Sequence, residues 1–163
     1  MFSLEIVTLA RLLVDEARQR NLRVVTAESC TGGLVAGAIC QVSGASDVFE
    51  RGFVTYSNRA KQEMLGVPGD LIADLGAVSE AVARMMAEGA LENSNAPVAV
   101  AITGIAGPGG GTPMKPVGTV HIATARSNQR LMHEEHFFEE ETREGIQLAA
   151  VQAALQMLRD RLT

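Results

Sequence analysis

Three segments of the chain concentrate side chains able to do chemistry. The first, Ala27-Glu28-Ser29-Cys30-Thr31-Gly32-Gly33, puts a carboxylate, a hydroxyl and a thiol on one short turn. Gly32 and Gly33 carry no Cβ, so a ligand can approach their backbone closely. A helix beginning after them would offer unpaired N–H groups to an anion or an oxyanion. The same residues also read as a plain glycine turn with a serine helix cap. The second segment runs from Thr103 and Gly104 through Gly111. It lacks the Gly-Lys-Ser/Thr ending of a phosphate-binding P-loop, and its glycine spacing is not the dinucleotide fingerprint. Its backbone N–H groups can still cradle a phosphate, and the alternative is a flexible connection. Long irregular loops in compact domains are more often functional than idle. The third segment, Tyr56-Ser57-Asn58-Arg59-Ala60-Lys61, brings phenol and amine together only if the intervening turn is tight. Otherwise Lys61 is a solvated surface residue.

The other candidates carry less. Ser29 is flanked by Ala27 and Thr31, so it is not in a Gly-x-Ser-x-Gly elbow. His121, His133 and His136 all fall late in the chain, which leaves Ser29 without an obvious histidine base. His133 and His136 point to opposite faces of a strand, and His121 stands alone in an apolar one. Cys30 and Cys40 are ten apart with no Cys-x-x-Cys, so no metal site is expected. Cys30 is a rival nucleophile, since a thiolate needs less activation than a hydroxyl. Glu134-Glu135 and Glu139 to Glu141 read as a solvated edge.

The elements that must position these residues follow from periodicity. Ser3 to Arg20 is an amphipathic helix capped by Ser3, with Ile6, Leu9, Leu13 and Ala17 at helical spacing. Leu22 to Ala27 is a buried strand, and Leu34 to Val42 a helix after the glycine turn. Arg51 to Ser57 reads as a strand and Asn58 to Leu65 as a short helix ended by Gly66 and Pro68. Ser79 caps a helix to about Asn93, and Pro97 to Thr103 is a central strand covered on both faces. Val117 to Ala125 and Gln129 to Phe138 form an antiparallel hairpin, and a helix capped by Thr142 closes the chain. The expectation is one domain, residues 1–163, folded as a three-layer α/β/α sandwich with a mixed parallel and antiparallel sheet.

Composition sets the outer limits. At 163 residues, 47% hydrophobic and 20% charged, the chain is an ordinary globular domain. The net charge of −5 argues against nucleic acid as a partner. No apolar run approaches the ~20 residues of a membrane span, so no membrane partner is expected. With no signal peptide and two cysteines, the cytoplasm is the expected location. Five Phe, one Tyr and no Trp leave Ala, Val and Leu to fill closely packed layers.

Taken together, AESCTGG (27–33), FERGFVTYSNRAKQEMLGV (49–67), GAVSEAVA (76–83), ITGIAGPGGG (102–111) and KPVGTVHIA (115–123) closely resemble the CinA C-terminal domain family. The resemblance covers roughly residues 5 to 160. Stand-alone members of that family are nicotinamide-nucleotide amidases of the PncC type, and the long N-terminal domain of full CinA proteins is expected to be missing here. The resemblance implies hydrolysis of the nicotinamide mononucleotide carboxamide to nicotinate mononucleotide and ammonia. It implies a serine–lysine mechanism with no metal and no cofactor, and a homo-oligomer. By motif, Ser29 matches the nucleophile, Lys61 its general base, and Tyr56 a neighbour in the proton path between them. Ser46, Thr103 and Arg143 match residues around the substrate. On this reading the N–H groups of Thr31, Gly32 and Gly33 form the oxyanion hole. The loop from Gly104 to Gly111, with Thr103 and Arg143, holds the ribose phosphate. One departure is visible: Gln147 stands where many relatives carry a second arginine.

Overall fold

The computed structural model describes residues 1–163. Its order is α1 (Leu4–Gln19), β1 (Val24–Glu28), α2 (Leu34–Cys40), a 3-10 turn (Ala45–Asp47), β2 (Phe49–Val54), α3 (Asn58–Leu65), α4 (Gly69–Leu75), α5 (Glu80–Glu92), β3 (Val98–Gly104), β4 (Thr119–Arg126), β5 (Met132–Phe137) and α6 (Arg143–Asp160). The five strands form one mixed sheet in the order β2-β1-β3-β4-β5. β1 pairs in parallel with β2 and β3, whereas β3–β4 and β4–β5 are antiparallel.

Alternation along the strands assigns the two faces. Val24, Val98, Val100, Ile102, Val120 and Ile122 point into a core shared with α1, α2 and α6. Val25, Ala27, Ala99, Ala101, Ala123 and Ala125 face the other way, against α3, α4 and α5. This second face is nearly all alanine, and α5 answers it with Ala83, Ala87 and Ala90. Small side chains on both sides let helix and sheet approach closely, as the scarcity of aromatics requires. The result is the expected three-layer α/β/α sandwich.

The expected caps are present: Ser3, Ser79 and Thr142 accept from Ile6, Val82 and Gly145 N–H groups. α4 was not foreseen. It opens with Pro68, Gly69 and Asp70, which signal a turn, and its short apolar side packs on α3 and α5 through residues such as Ile72. β2 begins two residues earlier than expected and ends at Val54, leaving Thr55 and Tyr56 beyond the strand. His121 is not alone, because sheet register sets its Nδ1 2.9 Å from His133 Nε2 on the neighbouring strand. Its Nε2 lies 3.1 Å from Glu135. Burial lowers the pKa of both imidazoles. His136 faces the opposite side, stacked on Phe138. No helix is long and apolar enough to cross a membrane.

Candidate active site

The carboxyl ends of β1, β2 and β3 lie side by side because the three strands are parallel. In open α/β sheets that edge is where ligands bind. Here it holds a cavity of about 260 Å³ lined by Ser29, Tyr56, Lys61, Thr103, Gly107 and Arg143 among others.

Ser29 follows β1 directly, with its N–H held by the Ile102 carbonyl of β3 at 2.9 Å. The turn behind it is fixed by Glu28, which is fully buried at the end of the strand. The Glu28 carboxylate accepts the Thr31 hydroxyl at 2.6 Å and the Val35 and Ala36 N–H groups at 2.9 and 3.0 Å. A carboxylate at a helix N-terminus is favoured by both hydrogen bonding and the helix dipole. Gly33 caps α2 at φ +99°, a conformation that a side chain would strain.

This arrangement reassigns three residues. The first amides of α2 are spent on Glu28, not offered to a ligand. Gly32 and Leu34 N–H groups are spent on the Ser29 and Thr31 carbonyls. Thr31, Gly32 and Gly33 do not line the cavity. They shape the turn that aims Ser29, and the adjacent Cys30 is the turn residue that reaches the cavity with it.

Lys61 comes from the first turn of α3. Ser57 caps that helix, accepting from the Ala60 N–H, and the Lys61 N–H bonds the Ser57 carbonyl. The turn is therefore tight, and the lysine is 1% exposed rather than solvated. Its Nζ lies 2.9 Å from Ser29 Oγ, and also donates to the carbonyls of Thr55 at 3.0 Å and Tyr56 at 3.2 Å. Burial pushes its pKa below the ordinary lysine value, opposed more weakly by nearby Cys30. The three neighbours have a chemical consequence. Two carbonyls can only accept, so in the neutral amine they hold its two hydrogens and the lone pair faces the Ser29 hydroxyl.

Cys30 is the counter-example. Burial, the largest cause, lifts its thiol to about 12, so it stays protonated near neutral pH.

Tyr56 lies elsewhere than expected. Its phenol does not bridge Ser29 and Lys61, because the amine reaches the hydroxyl directly. Its backbone carbonyl makes that contact instead, while the phenol turns outward to accept from Arg143 Nη2 at 2.6 Å. Arg143, the first residue of α6, also donates from Nη1 to the Gly107 carbonyl at 2.5 Å. Thr103, the penultimate residue of β3, donates to the Ala77 carbonyl at 2.9 Å, and Gly104 lines the wall beside it. Gln147 does not reach into the cavity; its Nε2 donates to the Cys30 carbonyl at 3.0 Å.

Ser46 is outside this site. It sits by Arg23, ahead of β1, with its carbonyl 3.5 Å from Arg23 Nη1. Since β1 and β2 are parallel, the chain must return to the amino end of β1 before β2 begins. That places Ser46 on the order of 15 Å along the strand from Ser29. The Ala77–Val78 wall lies in the GAVSEAVA motif (76–83), to which the residue types assign no place in the site, since small apolar side chains carry no chemistry of their own. No group of three or more His, Cys, Asp or Glu side chains is placed to hold a metal ion.

The family model of the CinA C-terminal domain matches residues 6–162. The chain belongs to the CinA C-terminal domain family. A CinA-like protein of Akkermansia muciniphila is 61% identical over 118 residues, 72% of this chain and 28% of the relative. Another, from Syntrophobacter fumaroxidans, is 47% identical over 150 residues, 92% of this chain and 35% of the relative. The CinA domain described here thus spans about a third of the length of these curated relatives. Among solved structures, the competence/damage inducible protein CihA from Agrobacterium tumefaciens superposes with a TM-score of 0.96 at 49% identity, covering 99% of this chain and 98% of that one. A CinA superfamily protein from Escherichia coli gives 0.89 at 38% identity, covering 94% and 89%.

Proposed function

We propose that the chain is a serine–lysine amidase that hydrolyses the carboxamide of nicotinamide mononucleotide to nicotinate mononucleotide and ammonia. The observation that carries this reading is the buried Lys61 amine 2.9 Å from the Ser29 hydroxyl. An amide is a weak electrophile and a neutral hydroxyl a weak nucleophile, so the reaction needs a base for the hydroxyl proton. Neutral Lys61 supplies it. As Ser29 Oγ bonds to the carboxamide carbon, its proton passes to Lys61 Nζ and negative charge moves to the carbonyl oxygen. The protonated amine then gives that proton to the departing nitrogen, and ammonia leaves an acyl-enzyme. Water, deprotonated by the same amine, attacks the ester carbon and restores Ser29.

The Cys30 N–H, next to the nucleophile, is the turn donor suited to the oxyanion. The substrate's pyridinium is a cation, and a nearby positive charge helps to keep Lys61 neutral. Arg143 meets only neutral acceptors, the Gly107 carbonyl and the Tyr56 phenol. Its guanidinium is therefore available to the substrate phosphate, for which it is suited by geometry and charge.

The competence/damage names of the relatives favour a second reading, a non-catalytic nucleotide-binding accessory module. A binder has no use for a desolvated lysine against a serine hydroxyl, and burying that amine costs stability. Ammonia release from nicotinamide mononucleotide separates the two. Release that disappears in Ser29→Ala supports the amidase. Wild-type protein that binds the mononucleotide but frees no ammonia overturns it. Turnover of another carboxamide in preference to the mononucleotide would keep the mechanism and replace the substrate.

A further inference from the structure

The cavity has two facing walls. One is Ala77–Val78, between α4 and α5, and the other is the outgoing limb of the glycine loop, Gly104 to Gly110. At the floor they are tied by the Thr103 hydroxyl on the Ala77 carbonyl. Outside the cavity a second tie is indirect: the returning limb, bonded to the outgoing one by the Gly118 N–H on the Ile105 carbonyl at 2.8 Å, is fastened to the end of α4. Lys115, on the returning limb, donates from Nζ to the Leu75 carbonyl at 2.6 Å. That carbonyl belongs to the last residue of α4, one of those a helix leaves without an internal donor. A lysine ammonium is well placed there. The next residue, Gly76, has φ +80°, and a Cβ on it would lie 3.1 Å from Lys115 Nζ, so the glycine keeps the seat open.

The lysine stands on a hydrogen-bonded turn. The Thr112 N–H donates to the Lys115 carbonyl at 2.8 Å, and the Lys115 N–H donates to Thr112 Oγ1 at 3.0 Å. On the outgoing limb Pro108, Gly109 and Gly110 are exposed. The Arg143 side chain anchors this limb directly, on the Gly107 carbonyl. An anion in the cavity competes for that guanidinium, because a charged acceptor outbids a carbonyl. The limb then loses its hold on that side just when it must stay in place. The Lys115 contact lies outside the cavity and does not compete with a ligand.

We propose that Lys115 is a positioning residue: it holds the glycine limb against the Ala77–Val78 wall while Arg143 turns to the ligand's anionic group. This rests on the amidase reading for its substrate, but the clasp can be measured without turnover. The test compares wild type with Lys115→Met and Lys115→Arg, by ammonia release from nicotinamide mononucleotide and by amide hydrogen exchange over residues 104–111. Lys115→Met is expected to raise KM about 3–10-fold, the worth of one hydrogen bond, with kcat within about twofold. Exchange in the limb should speed up, and Lys115→Arg, which keeps a donor, should restore both. A purely structural lysine would lower Tm in Lys115→Met and leave KM unchanged, which overturns the proposal, as does unchanged limb exchange. If the wild type frees no ammonia, the amidase reading fails by itself. Calorimetric binding of inorganic phosphate then replaces KM: weaker binding in Lys115→Met supports the clasp, and equal binding overturns it.

Discussion

Arg143 Nη2 donates to the Tyr56 phenolic oxygen at 2.6 Å, joining the start of the last helix to the segment that follows β2. Neither residue meets a carboxylate there. The pair forms the mouth of the cavity, and the cation is committed only to neutral acceptors. Arg143→Ala should therefore act on phosphate recognition and not on bond breaking. The expected outcome is a KM for the mononucleotide raised about 10–100-fold, in line with the ~1.5–3 kcal/mol of a charge-assisted bond, with kcat little changed. Comparing mononucleotide with riboside checks it, because the preference for the phosphorylated form should collapse in the variant.

The Lys61–Ser29 contact predicts a loss of chemistry without a loss of fold. On the proposed mechanism Ser29→Ala and Lys61→Ala should each lower kcat by at least ~10³, since a nucleophile and its base act as a unit. Near-normal turnover in Lys61→Ala would end the dyad assignment.

Burial of Lys61 also sets the direction of a pH profile. As the proposed base Lys61 must be neutral, so kcat should rise with pH and level off at a value below the 10.5 of an ordinary lysine. For stability, the folded pKa lies below the unfolded one, so the unfolded chain binds more protons between the two. Stability contributed by this group therefore increases as pH climbs from the folded pKa to 10.5, and the lysine is a burden at lower pH. Lys61→Met, of similar length and uncharged, should be inactive yet melt higher at pH 6, by roughly 2–4 °C for each kcal/mol relieved. A lower Tm in that variant would show that the three hydrogen bonds of Nζ outweigh its desolvation.

The raised Cys30 pKa of about 12 makes the thiol a poor nucleophile at neutral pH. Cys30→Ala should keep kcat within about an order of magnitude of wild type, and iodoacetamide at pH 7 should leave activity intact. Rapid inactivation with Cys30 carboxymethylated, found by mass spectrometry, would return that thiol to candidacy.

Glu28 predicts a stability effect larger than its single charge suggests. Glu28→Ala strands the Val35 and Ala36 N–H groups and the Thr31 hydroxyl in the interior. At ~1–3 kcal/mol for each unsatisfied group, the loss should reach about 3 kcal/mol, read as a lower urea midpoint. A change under ~1 kcal/mol would mean that water replaces the carboxylate there.

Much of this was legible in the sequence, because it is encoded locally. Periodicity marked α1, α5, β3 and the β4–β5 hairpin, and Ser3, Ser79 and Thr142 announced their helices, since a cap's hydroxyl serves an N–H three residues on. The AESCTGG and glycine-loop motifs flagged the two strand ends that border the cavity. The chain's own residues also fixed a small-residue core, having no tryptophan and one tyrosine to offer.

What needed the tertiary structure depends on groups distant in the chain. Whether Lys61 is a solvated cation or a buried amine rests on a contact 32 residues away in sequence, made by the parallel pairing of β1 and β2. The same pairing sends Ser46 to the far end of the sheet. Glu28 looked like one more carboxylate near a serine, and only the packed turn shows that it consumes the helix amides expected to serve a ligand. The His121–His133 pair likewise comes from sheet register, which no single strand reveals. Side-chain type and local spacing are properties of a segment, whereas desolvation and hydrogen-bond partnership exist only once the segments have met.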